Sequence, residues 1–280
     1  MKKFFFGAVV AASSALATQA FAADLARKAP VYKAPPAPIF TWTGFYAGVN
    51  AGYGFGTDSN TITTGIGAAN ISAVADGARP FRVRPDRDGF VGGGQIGYNW
   101  QFAPTWVFGI EADIQYSDIR DTRNVQTVLA AVGPNGTAAG TRNNFYTTNM
   151  EYFGTVRGRL GYTFDRTMIY GTGGLAYGEV TNAATFTGVA PGFATQFVGA
   201  RKRTDVGYTV GAGIEHAFTP NWSVKAEYLY YDLGDKTIQV LNVAGPGGAG
   251  GPGYNARFQN EGHIVRAGLN YKFGGGLFGY

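Results

Sequence analysis

Apolar and polar residues alternate along eight stretches of this chain, with a period of two residues. The first stretch reads GFYAGVNAGYGF. Every second residue is apolar or aromatic, and the residues between them are Tyr, Asn and Gly; we call each alternate set a parity. Alternation of this kind is typical of β-strands that present one apolar and one polar face. The predicted strands cover residues 44–55, 90–102, 106–116, 150–162, 168–178, 205–215, 222–230 and 265–273. The segment 168–178 is nearly all apolar or Gly, so the pattern leaves its faces unassigned.

The charged residues of these strands share one parity. In each of the five stretches with more than one charge, all charges lie on the face opposite the apolar side chains. The third stretch is ended before Asp118, whose charge would otherwise lie on the apolar parity. The charged parity holds six acids and five bases: Glu111, Asp113, Glu151, Arg157, Arg159, Asp205, Glu215, Lys225, Glu227, Arg266 and Lys272. If this face is enclosed, we expect these residues to pair into a salt-bridge network.

Short and long connections alternate between the predicted strands. The turns 103–105, 165–167 and 219–221 are tight, whereas 57–88, 118–144, 179–203 and 234–262 are long and polar. This arrangement is typical of an outer-membrane barrel. We therefore predict an all-β, eight-stranded antiparallel up-and-down transmembrane β-barrel with both termini on the short-turn, periplasmic side. Four tryptophans are predicted to form an aromatic girdle at that interface: Trp42, Trp100, Trp106 and Trp222.

The pattern alone does not show which face points inwards, because a soluble eight-stranded barrel encloses the apolar parity instead. Two features at the chain ends favour the membrane barrel, namely the leader and the final strand, RAGLNYKF. Residues 1–22 have two lysines, an apolar run and the ending Ala-Phe-Ala, which predicts a cleavable signal peptide and export. Residues 23–40 are rich in proline and predict an extended periplasmic tether, whose basic residues could contact peptidoglycan. The barrel is then expected over residues 41–280.

The amino-acid composition excludes further classes of protein and of binding site. The chain has 280 residues, of which 45% are hydrophobic, only 15% are charged and 44 are Gly; its net charge is +5. A mean hydropathy of −0.08 is too polar for a bundle of membrane helices, and so much Gly disfavours helices. The absence of Cys excludes thiolate metal sites, and the small net charge does not suggest a nucleic-acid partner.

Several stretches carry a resemblance to a known family. They are AADL after the cleavage site, the tether, WTGFYAGVNAGYGFG, GGGQIGYNWQF, YFGTVRGRLGY, VGAGIEHAF and WSVKAEYLYYDLG. Together they resemble the small outer-membrane β-barrel family of alphaproteobacteria, which includes 25- and 31-kDa immunogenic proteins and haemin-binding, porin-like proteins. The resemblance implies a place in the outer membrane of a Gram-negative bacterium, among lipid and lipopolysaccharide.

The last strand, RAGLNYKF, resembles the C-terminal signal that barrel-assembly machinery recognises. The matching positions are Arg266, Gly268, Tyr271 and Phe273. Members of the family commonly end at the aromatic residue of this strand, whereas here residues 274–280 follow. Tyr280 is also a terminal aromatic, so the sequence leaves open which residue serves as the signal.

The expected function is a structural or surface role without a wide pore, since eight strands enclose a lumen that side chains can fill. We predict neither enzymatic activity nor a cofactor or metal, because neither His216 nor His263 has a neighbouring Ser nucleophile. The alternatives are haemin binding, passage of small solutes or ions, and lipopolysaccharide binding through Arg201, Lys202 and Arg203. A second basic group is interleaved with acids and predicts a solvated rim: Arg79, Arg82, Arg84 and Arg87.

Overall fold

A computed structural model describes residues 40–56, 60–246, 248–251 and 253–274. The predicted signal peptide, most of the tether and Tyr280 lie outside these residues. No helix within the described part of the chain is both long and apolar enough to cross a membrane.

The chain forms one antiparallel sheet in which eight strands close into a ring. The elements are β1 (Gly44–Phe55), β2 (Thr61–Gly65), α1 (Ala68–Ala75), β3 (Arg82–Val83), β4 (Asp88–Ala103), β5 (Trp106–Leu129), β6 (Gly140–Phe164), β7 (Thr167–Ala190), β8 (Phe193–Ala217), β9 (Trp222–Ala244) and β10 (Tyr254–Lys272). The sheet order is β1-β4-β5-β6-β7-β8-β9-β10, and β1 pairs with β10 from Tyr46↔Lys272 to Phe55↔His263. The predicted eight-stranded ring is confirmed.

Two short strands extend the wall where β1 ends. β2 pairs with β10 from Thr61↔Phe258 to Gly65↔Tyr254, so it takes the place of β1 further along β10. β3 then pairs with β2, and α1 lies between them in the chain. We call this end of the barrel the extended end. The opposite end, where short turns join β4 to β5, β6 to β7 and β8 to β9, is the turn end.

The strands are much longer than the alternation predicted. The segments 118–144, 179–203 and 234–262 were expected to be long loops, but most of their residues continue β5 to β10. The connection between β7 and β8 is a tight hairpin, in which Ala190 pairs with Phe193 and Gly192 adopts a positive φ of 86°. The outer face of these extensions carries Thr, Asn and charged residues. The sequence predicted loops here because the alternation of apolar and polar residues, which identifies a strand in lipid, is absent.

An apolar band encircles the outside of the ring near the turn end. On β5 its outward positions run from Trp106 to Tyr116, which spans about 25 Å for tilted strands, as expected for a bilayer core. The 24 residues of β5 extend over about 60 Å along the barrel axis. Asp118 and Arg120 also face outwards, but they lie beyond the band and pair with each other at 3.4 Å.

Three of the four predicted girdle residues lie on the outer face at the turn end, where Trp100, Trp106 and Trp222 are exposed. The prediction for Trp42 is wrong. Its side chain is only 4% exposed and packs inside the barrel against Val107, Met168 and other apolar residues. Because Trp42 precedes β1, no strand periodicity governs it, and burial inside the ring removes its indole from solvent.

The lumen is filled in successive layers along its length. Trp42 and its neighbours close the turn end, and a charged cluster follows. Beyond the charges lies an apolar cluster around Phe153 and Leu229, and then a second one around Tyr146 and Phe186, close to α1 and β3. The two apolar layers above the charges were not predicted.

Candidate functional site

Eight of the predicted network residues form one buried cluster within the lumen. The barrel closure brings them together from five strands, each at an inward-facing position. They are Glu111, Asp113, Arg157, Arg159, Glu215, Lys225, Glu227 and Arg266. Four acids and four bases make the cluster neutral, as the large cost of burying unpaired charge requires.

Glu111 is the centre of this cluster. Its carboxylate lies 2.6 Å from Arg157 Nη2 and 2.8 Å from Lys225 Nζ. Arg159 and Arg266 approach to 3.5 and 3.7 Å. The hydroxyl of Tyr46 donates a further hydrogen bond to Glu111 Oε2 at 2.8 Å.

The remaining carboxylates link the other cations. Arg266 contacts Glu227 at 2.6 Å and Asp113 at 3.0 Å, and Arg159 contacts Glu215 at 3.1 Å. Tyr170 donates to Glu227 Oε1 at 3.0 Å. These carboxylates therefore all have cationic partners, which is the arrangement in which buried ion pairs are tolerated.

The tyrosines of this cluster were missed at the sequence level. Tyr170 lies on β7, whose faces the apolar and Gly-rich pattern left unassigned. In the structure Tyr46 and Tyr170 are both buried, and the guanidinium of Arg159 lies over both rings, at 4.7 and 5.4 Å from their centroids. Tyr46 shares the polar parity of β1, which was the available signal.

Glu151 is not in the lumen, so its prediction is wrong. The β6–β7 pairing shifts register between Met150 and Tyr152, and the extra residue turns Glu151 to the outer surface. There it pairs with Lys202 at 2.7 Å, and both side chains are about half exposed. A one-residue shift reverses the facing of every residue on one side of it.

Two other predicted members stand apart from the cluster. Asp205 faces inwards but lies towards the extended end, where it pairs with Arg201 at 2.7 Å and Lys236 at 3.6 Å. Lys272 lies at the turn end, donates to the carbonyl of Thr41 and has its ammonium 4.7 Å from the ring centroid of Phe40. Neither residue contacts the four-acid, four-base cluster.

The three residues predicted to contact lipopolysaccharide lie together on β8. Arg201 and Lys202 are already paired, with Asp205 and with Glu151 and Glu179 respectively. Arg203 is exposed. Lipopolysaccharide binding at these residues stays a prediction.

The sequence predicted His263 at the loop end of its strand. In the structure His263 lies in the middle of β10. It faces outwards among the rings of Phe55, Tyr228 and Tyr230, and its Nδ1 is 2.7 Å from the hydroxyl of Tyr228. His216 is near the turn end and bonds Thr167 at 2.9 Å. The described residues hold no group of three or more potential metal ligands of the His, Cys, Asp or Glu type.

The residues of the predicted assembly signal lie on both faces of β10 and, for Phe273, directly after its end. Arg266 and Gly268 face the lumen, whereas Tyr271 and Phe273 are exposed outside. Recognition by assembly machinery stays a prediction.

The extended end contains a second candidate site, a cavity of about 300 Å³. It lies between α1, the β5–β6 connection and the β7–β8 hairpin, and Arg79 and Arg142 line it. Arg79 was expected at a solvated rim, and this is wrong: its side chain is 1% exposed. Arg87 of the same group is also buried, at 6% exposure, whereas Arg82 and Arg84 are exposed as expected.

Arg79 has an unusual environment for a buried cation. Its guanidinium donates to Asn144 Oδ1 at 2.8 Å and to the carbonyl of Thr187 at 2.9 Å. The rings of Phe186 and Tyr254 lie 5.4 and 5.8 Å away. Burial lowers the pKa of Arg79, and the same burial raises the pKa of Tyr254.

Asp76 holds one wall of this cavity. Its carboxylate accepts hydrogen bonds from the backbone and side-chain amides of Asn135 at 3.0 and 2.6 Å, and from the backbone of Thr137 at 3.1 Å. Burial by itself would raise the pKa of Asp76, but the hydrogen bonds from Thr137 and Asn135 outweigh it and hold the pKa below its ordinary value.

Comparison with known proteins agrees with the barrel architecture. Residues 8–273 match the family described as outer membrane protein beta-barrel domain. The chain is 38% identical to the 31 kDa outer-membrane immunogenic protein of Brucella melitensis, over 92% of this chain and 95% of that one. It is 29% identical to a 22 kDa outer membrane protein of Rhizobium leguminosarum bv. viciae, over 74% and 72% of the two chains. The crystal structure of the outer membrane protein OprG from Pseudomonas aeruginosa aligns with 84% of this chain and 99% of that one, at 14% identity and a TM-score of 0.41.

Proposed function

This chain belongs to the outer membrane protein β-barrel family, and from that premise we propose that it is a non-enzymatic protein whose barrel is closed to solutes. Its role is to anchor a rigid β extension at the cell surface. The names of its relatives give an outer-membrane location and immunogenicity, which supports a surface role.

The filled lumen is the observation that carries the proposal. Ion pairs bridge the lumen between Glu111 on β5, Arg157 on β6 and Glu227 on β9. Apolar layers lie on both sides of them, with Trp42 towards the turn end and Phe153 towards the extended end. A solute would have to separate buried ion pairs and then cross apolar packing, both of which are costly.

Bilayer conductance tests the closed barrel. The full chain, folded in detergent and added to a planar bilayer, should give no discrete conductance steps, while a wide-pore porin in the same bilayer does. Heat-modifiable gel mobility verifies that the sample is folded. Reproducible, voltage-stable steps from folded protein would refute closure and favour passage of small solutes or ions.

The proposed orientation has the extended end outside the cell and the turn end in the periplasm. The long polar extensions of β5 to β10 and the tight turns at the other end support it. An epitope tag inserted at the β7–β8 hairpin, after Pro191, should be labelled on intact cells. A matched tag in the β6–β7 turn, after Asp165, should be labelled only after permeabilisation; the reverse result would overturn the orientation.

A further inference from the structure

We propose that the cavity at the extended end binds a small organic anion, whose charged group lies against Arg79 and Arg142 and whose apolar part lies against Phe193 and Phe197. All four residues line the cavity. The inference goes beyond the proposed function and does not depend on whether the barrel conducts.

The first argument is the charge of the site. Within the described residues, neither Arg79 nor Arg142 has a carboxylate at salt-bridge distance. Their guanidinium groups instead meet neutral oxygens, including the carbonyl of Ala138 at 2.6 Å from Arg142 Nη2. Asp76, which holds the cavity wall, is occupied by Asn135 and Thr137. Buried cations without a counter-charge are costly, and a bound anion would supply that charge.

The second argument is unused hydrogen-bonding capacity. Arg79 Nε is buried and has no hydrogen-bond partner among the described residues. Arg79 lines the cavity. Buried polar atoms are nearly always satisfied in folded proteins, so an orphaned donor beside a cavity indicates a place for an acceptor.

The third argument is the proximity of the two arginines. A Cβ built on Gly188 would lie 3.5 Å from Arg79 Nη2 and 3.3 Å from Arg142 Cγ, so both side chains pack against this one glycine. Two guanidinium groups on one wall can bind a carboxylate or phosphate with several charge-assisted hydrogen bonds.

Size and lining define the ligand class. The cavity measures about 300 Å³, whereas a cavity of about 150 Å³ is enough for benzene. It therefore has room for a ring or short chain that carries one anionic group. Phe193 and Val189, on the two sides of the β7–β8 hairpin, line the cavity and are also 40% and 66% exposed, so they mark its solvent side.

Calorimetric titration of the full chain, folded in a nonionic detergent, tests the inference. The probes are benzoate, its neutral analogue benzamide, and inorganic phosphate. We expect benzoate to bind, and both benzamide and phosphate to bind at least about tenfold more weakly, because the first lacks the charge and the second lacks the apolar part.

Variants locate the binding. Arg142→Gln should weaken benzoate binding at least about tenfold, whereas Arg82→Gln, which removes the same charge from the exposed face of β3, should leave it unchanged. Heat-modifiable mobility verifies that both variants fold. The proposal is overturned if benzoate does not bind, if benzamide or phosphate binds equally well, or if the two variants behave alike. If Arg142→Gln fails to fold, the comparison of the three probes on the unmodified chain still tests the proposal.

Discussion

The substitution Glu111→Gln removes one charge from the centre of the lumen cluster and keeps the shape of the side chain. In the native structure four cations lie within 3.7 Å of this carboxylate, with Arg157 and Lys225 the nearest. The variant leaves four buried bases facing three acids.

The expected loss of stability follows from these distances. Two unit charges about 4 Å apart attract by about 4 kcal/mol at an effective dielectric constant of 20. Glu111 makes several such contacts, but the ionised carboxylate also loses hydration on burial, which offsets much of the attraction. Removal of one partner from a buried ion pair generally costs about 3–5 kcal/mol, and we expect a loss of this size for Glu111→Gln.

Glu151→Gln is the matched control, because the same change is made on the outer surface. Glu151 and its partner Lys202 are about half exposed, and exposed pairs contribute little. Urea unfolding from lipid vesicles, followed by gel mobility, compares the two variants. An equal loss for both would refute the reasoning about the enclosed cluster.

A double variant tests whether charge imbalance is the cause. Lys225 Nζ lies 2.8 Å from both oxygens of Glu111. Adding Lys225→Met to Glu111→Gln restores the balance, with three acids and three bases. The double variant should be more stable than the sum of the single effects predicts, by about 1–3 kcal/mol. Simple additivity would show that the two residues act independently.

Three further predictions concern other parts of the barrel. A variant whose only tryptophan is Trp222 should be strongly quenched by brominated lipid, and one that keeps only Trp42 should be quenched weakly, because Trp42 lies inside. Phe153→Ala should cost about 3–5 kcal/mol in urea unfolding, and Phe145→Ala, on the outer face of the extension beyond the apolar band, much less; equal losses would contradict the inner apolar layer. Because the pKa of Asp76 is lowered in the folded state, its contacts should be fully present above its ordinary pKa of 3.8 and be lost only as the pH falls through the lower pKa of the folded state. Hydrogen exchange of the amides bonded to Asp76, expressed as protection relative to the intrinsic exchange rate and followed from pH 7 down into the acid range, measures this, and Asp76→Asn should abolish the pH dependence of the protection.

The ring and most of its charged lumen could be predicted from the sequence because one physical constraint dominates there. Lipid excludes charge from the outer face, so the parity of residues such as Glu111 and Arg266 determines their side of the wall. The same constraint explains Asp118: its outward parity is permitted because it lies beyond the apolar band.

The errors arise where that constraint does not apply. The bulge beside Glu151 reverses parity, and nothing in the local sequence marks it. Trp42 lies before the first strand, so its burial depends on the closed ring rather than on alternation. Beyond the bilayer the outer face of the strands is polar, which resembles a loop, and the burial of Arg79 depends on how α1 and β3 pack within that extension.

The neutrality of the charged cluster also constrains how the barrel can form. Its members come from β5, β6, β8, β9 and β10, and Arg266 belongs to β10, which follows the other four in the chain. A sheet that lacked β10 would leave Asp113 and Glu227 without this cation, while an open edge exposed unpaired backbone to lipid. We therefore expect insertion and ring closure to be coupled, and a chain that lacks β10 to be unstable in the bilayer.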